Sequence, residues 1–116
     1  MPDTEPIPAD IYGADPMILV TGDAHMAARR IGVVAAFANT NLWTTLGRST
    51  TTHSKGDLAS PADPTCQLDK PGWWSERFQH TIDGATFGDD VLCPFYGHLQ
   101  EPARSAFLDF CERIGY

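Results

Sequence analysis

The sequence predicts an α+β domain with a central helix at 23–39, a C-terminal helix at 102–114, a short helix at 73–82 and two or three short strands. Two observations lead there: apolar residues recur at three- and four-residue spacing in the two longer helical segments, and the apolar runs outside them are short. Because every strand candidate is so short, an all-α bundle is the alternative. At 116 residues the chain is long enough for one hydrophobic core but not for two independent ones.

Residues 1–16 read as an extended acidic arm. Pro2, Pro6, Pro8 and Pro16 interrupt regular hydrogen bonding, and Ile7, Ile11 and Tyr12 are the only evident anchors. The remainder, 17–116, reads as one globular domain. Met17, Ile18, Leu19 and Val20 form a strand candidate between Pro16 and Gly22. Thr21 or Asp23 then caps the helix at 23–39, where an acid suits the positive end. Ala27, Ile31, Val34, Ala35, Ala38 and Leu42 give that helix one apolar face. Ala24, Ala28, Gly32 and Ala36 form an adjacent stripe of small side chains that admits another backbone closely. Met26, Val33 and Phe37 cover the far side, so the helix is expected at the centre of the fold.

The run 44–65 is polar and reads as a long loop, and such loops are often functional. At 73–82, Trp74, Phe78 and Ile82 fall four apart. The same segment also fits an alternating strand that turns at Asp83 and Gly84. Ser75, Glu76, Arg77 and Gln79 suit an exposed helical face and favour the helix. Residues 91–96 are a second strand candidate, with Pro94 confining it to an edge. Glu101 and Pro102 open the last helix, and Ala103, Ala106, Phe107, Phe110, Cys111 and Ile114 carry its apolar face up to Gly115.

Fifteen acidic residues against eight lysines and arginines give a net charge of −7. Basic residues stand singly or as the pair Arg29 and Arg30, so no patch follows a phosphate backbone and no direct nucleic-acid binding is expected. A partner with a basic surface is. The first residues lack a charged leader followed by an apolar stretch, and no apolar run is long enough to span a membrane. Cys66, Cys93 and Cys111 are odd in number and widely spaced, which fits a reducing compartment. The expectation is a cytoplasmic protein with no membrane contact.

The chemical motifs are sparse. The segment after Val20 lacks both GxGxxG and GxxxxGK[ST], so it reads as an acidic helix cap rather than a phosphate site. Histidines 25, 53, 80 and 98 with Cys66 and Cys93 supply metal donors, and His25, His80, Cys93 and His98 are the candidate set. Only Cys93 and His98 lie close in sequence, whereas zinc sites usually show two close pairs. Cys66 is the candidate nucleophile, with His53 or His80 as its base. Asp89 and Asp90 read as a turn. Trp73 and Trp74 cannot both point inward. With Trp74 in the core, Trp73 is left at the margin with Leu108 and Arg104 from the polar side of the last helix. These three are the candidate binding residues. The reading is a small acidic protein-interaction or inhibitory module without a cofactor. The alternative is a metal-binding protein or enzyme using histidines around the 44–65 loop.

Overall fold

The computed structural model describes residues 6–15, 29–50 and 55–116. Among these the chain is mostly β. Six antiparallel strands form one curled sheet, a half-barrel, with a single helix at the C-terminal end. This corrects both the α+β domain built around a central helix and the all-α alternative. The strands are β1 (Asp10–Ala14), β2 (Arg29–Ala36), β3 (Leu42–Ser49), β4 (Leu58–Ser60), β5 (Gly72–Asp83) and β6 (Phe95–His98), and the helix is α1 (Ala103–Arg113). Their order across the sheet is β4-β5-β3-β2-β1-β6, which leaves β4 and β6 at its two ends.

The described part of the expected central helix is β2. Ile31 and Val33 enter a buried cluster with Tyr12, Ala14, Ile82 and Cys93, while Val34 joins a second cluster with Phe107 and Phe110 of α1. A strand covered on both faces loses its polar alternation and reads as a continuous apolar run. Over a short window that run also satisfies a helical stripe. Asn39, at φ 62°, turns the chain into β3, and the Phe37 amide donates to Leu42 O at 2.9 Å. Asparagine tolerates this left-handed conformation better than most residues. The strand candidate at 17–20 and the helical residues 23–28 lie outside the described residues.

Two segments expected at the periphery contribute strands to the sheet. Residues 10–14 of the expected arm are β1, buried throughout and paired with both β2 and β6. The expected loop at 44–65 instead supplies most of β3, then β4, then a 3-10 turn at Pro64–Cys66. Its threonines suit a strand, and the buried Thr45 hydroxyl donates to His80 O at 3.2 Å. Arg48 is buried as well. Its guanidinium donates to Ser60 O at 3.0 Å, Pro61 O at 3.2 Å and Lys70 O at 2.8 Å. Burial lowers its pKa from the ordinary arginine value. This cation ties β3 to the end strand β4.

Residues 73–82 form a strand, not a helix. Trp74 meets Phe107 of α1 edge-on at 4.9 Å between centroids, whereas Ile82 lies in the cluster on the opposite face. The register with β3 slips between Leu46 and Arg48. The extra residues of β5 at that slip exchange the faces presented by its two halves. Asp83 and Gly84 do not close a hairpin; Asp83 accepts the Ala85 amide at 2.8 Å and caps a 3-10 turn at Gly84–Thr86. The strand expected at 91–96 is displaced to Phe95–His98. Val91 and Leu92 belong to a turn whose amides donate to the Asp89 carboxylate at 2.9 and 2.8 Å.

The apolar spacing over 102–114 coincides with α1, which buries Phe107, Phe110 and Cys111. The Glu101 carboxylate accepts from the Ser105 amide at 3.0 Å and from its hydroxyl at 2.7 Å, which occupies one of the helix's otherwise unpaired first amides. The sheet is thus covered by α1 on one face and flanked by Phe87 on the other. No helix among the described residues is long and apolar enough to cross a membrane.

Candidate functional site

Along the seam between α1 and the end strand β4 the surface opens into a groove. Its largest part, about 600 Å³, is lined by Leu58, Ala106, Asp109, Glu112 and Arg113. A smaller cavity of about 190 Å³ shares Leu58 and Ala106 and reaches Trp74 and Pro102. A third, about 320 Å³, is lined by Gly56, Asp57, Glu76, Arg77, Phe110 and Ile114. The helix period creates the groove: residues 106, 109 and 113 share one face, while Phe107, Phe110 and Cys111 are committed to the sheet. Ala106 is too small to fill the space beside Leu58. The Arg48 clamp on Ser60 and Pro61 holds the β4 side of the groove in place.

The lining combines apolar side chains with an excess of acidic ones. Leu58 and Ala106 share the cavity of about 600 Å³ with Asp109, Glu112 and Arg113, and Phe110 and Ile114 share that of about 320 Å³ with Asp57, Glu76 and Arg77, so carboxylates outnumber guanidinium groups in both. The Arg113 guanidinium lies over the Phe110 ring, 5.6 Å from its centroid. Such a groove suits an apolar side chain carried on a positively charged segment.

The expected binding residues do not assemble into one patch. Trp73 is half-buried on β5, paired opposite Ser49 and Ala59. Since Trp74 faces α1, its neighbour Trp73 faces the other side of the sheet. Leu108 is half-buried and packs against the core cluster beneath α1. Arg104 is half-buried in the first turn of α1, its amide donating to Gln100 O at 3.0 Å. Sequence reasoning missed Leu58, Ala106 and Asp109. The available signal was the acidic face of 103–114 opposite its phenylalanines, together with Leu58, one of two leucines in the polar run.

The expected metal donors are also separated. His25 and His53 lie outside the described residues. His80 is buried in β5, Cys93 is buried against Tyr12 and Ile82, and His98 is on the end strand β6. Among the described residues no three His, Cys, Asp or Glu side chains gather as metal ligands would. Cys66, the candidate nucleophile, is fully buried, and burial followed by the nearby Asp63 pushes its thiol up to about 12. Burial likewise pushes Cys93 and Cys111 to about 12, so all three are poor nucleophiles near neutral pH.

A second polar feature lies at the other end of the sheet. Asp10 and His98 are direct partners in the β1–β6 ladder, and His98 Nδ1 lies 2.6 Å from Asp10 Oδ1. The second Asp10 oxygen accepts the Ile7 amide at 3.2 Å. Phe95 stands edge-on to the His98 ring at 5.3 Å and continues to Tyr12 at 5.2 Å. Burial, then the charge of Asp10, raises the Tyr12 phenol to about 12. The nearby turn is fastened by Asp63, which accepts the Gln100 amide at 3.2 Å and the Thr65 amide at 3.1 Å. Burial acts against its charge, but bonds from Thr65, Gln100 and Cys66 prevail and hold the carboxyl below its usual range.

Comparison with family models, with curated proteins and with solved structures returned no match. The inhibitory reading of the sequence has no support from them.

Proposed function

We propose that this protein is an acidic interaction module whose α1–β4 groove receives an apolar side chain from a basic segment of a protein partner. The observation that carries the reading is the cavity in which the apolar Leu58 and Ala106 stand beside the carboxylates of Asp109 and Glu112. The net charge of −7 adds long-range attraction for such a partner and accelerates encounter. Affinity comes from the buried anchor, because rim charges alone contribute little. Three free cysteines, all buried, are in keeping with a cytoplasmic setting.

A synthetic peptide with one leucine flanked by lysines and arginines tests the reading by titration. Asp109→Lys combined with Glu112→Lys should weaken binding by at least about tenfold, equal to about 1.4 kcal/mol. Raising salt should weaken wild-type binding in the same direction. Ala106→Trp should abolish it by filling the cavity that Ala106 lines. Circular dichroism on each variant confirms folding. Equal affinity for wild type and both groove variants would contradict the proposal.

A further inference from the structure

We infer that His98, oriented by Asp10, is a general base for hydrolysis of small esters with an apolar or aryl group. The site lies at the β6 end of the sheet, opposite the β4 end that carries the groove, and stands independently of it. Asp10 is only 3% exposed, yet the His98 side chain is 57% exposed. A carboxylate can only accept a hydrogen bond, so Nδ1 supplies the proton between the two groups, and Nε2 is the ring nitrogen left for a substrate. Both Asp10 oxygens are engaged, one by His98 and one by the Ile7 amide, which fixes the carboxylate plane. The backbone below is fixed too, because Gln100 Nε2 donates to His98 O at 2.9 Å.

A cross-strand ion pair made only to close a sheet edge needs a cation and nothing more. Here the ring is instead presented beside Phe95, which is 47% exposed and stands 5.3 Å from it. An exposed base next to an exposed aromatic surface is suited to a substrate that combines an apolar group with an electrophilic carbon. A carboxylate that orients an imidazole is the shared element of many acyl-transfer sites.

In the step inferred, a water oxygen bonds to the acyl carbon as His98 Nε2 takes one of its protons. The tetrahedral adduct collapses, the bond from carbon to the leaving oxygen breaks, and the imidazolium returns that proton to the departing alkoxide. Ester and water become acid and alcohol, with no other reactant consumed. His98 is the catalytic residue, Phe95 holds the apolar group and Asp10 is a positioning residue.

Hydrolysis of p-nitrophenyl acetate by the full chain at pH 8 tests this. A general base typically contributes about 10²–10⁴-fold, so His98→Gln should lower kcat/KM by at least tenfold, to the background of the remaining histidines. Asp10→Asn should lower kcat and, in long-range ¹H–¹⁵N spectra, move the His98 proton from Nδ1 to Nε2. Phe95→Ala should raise KM more than it lowers kcat. A solvent deuterium effect of about two or more is expected for proton transfer from water. Wild-type turnover in a folded His98→Gln variant, or a wild-type rate no greater than that of free imidazole at equal concentration, would overturn the inference.

Discussion

Phe107→Ala should destabilise the domain by about 3–5 kcal/mol, the range found when a large buried aromatic is truncated. Phe107 is fully buried, meets Trp74 edge-on at 4.9 Å and belongs to the cluster that joins α1 to β1, β2, β3 and β5. Its removal strips contacts from several strands at once, and the strands cannot collapse inward without breaking their ladders. Urea denaturation followed by circular dichroism measures the change. A loss below about 1 kcal/mol would mean that α1 does not carry the helix-side core.

Gly32→Leu should cost about as much, by the opposite route. An added Cβ at Gly32 would stand 2.8 Å from Phe107 Cζ, 2.9 Å from Phe107 Cε1 and 3.3 Å from Trp74. Those rings are packed and buried, so neither can retreat to admit the methyl group, still less a whole leucine. Overpacking usually costs about 1–3 kcal/mol, and the upper end or beyond is expected here because α1 must lift from β2. Thermal unfolding provides the measurement. Equal or greater stability in the variant would show that β2 and α1 are not in close contact at this point.

Gly32 also shows how the fold stayed partly hidden in the sequence. Its smallness signalled a close approach, but the approaching element is a helix laid on a strand, not a backbone against a helical stripe. Ile31, Val33 and Val34 are buried on both faces of β2, and this double burial erased the alternation that marks a strand. In β5 the bulged register put Trp74 and Ile82 on opposite faces while leaving them at a helix-like spacing. The buried threonines and Arg48 of β3 looked like loop because their polarity is satisfied only by partners elsewhere, such as His80 O and Lys70 O. The last helix was legible because one of its faces remains in water and keeps the contrast on which periodicity depends.

The sites follow the same logic. The acidic side of α1 was visible, but its conversion into a groove requires Leu58, brought beside Ala106 by the β4–β5 pairing. Asp10 and His98 lie 88 positions apart and meet only through the β1–β6 ladder. No local spacing encodes such a pair. Trp73 lies opposite Trp74 in β5, on the sheet face away from α1 and Leu108.

The most direct test of the interaction reading is to map amide chemical shifts while the leucine-bearing basic peptide is titrated into ¹⁵N-labelled protein. Saturable changes are expected at Leu58, Ala59, Ala106, Asp109, Glu112 and Arg113, all lining the cavities along α1 and β4. Changes centred on the sheet face that carries Trp73, or no saturable change at these residues, would contradict it.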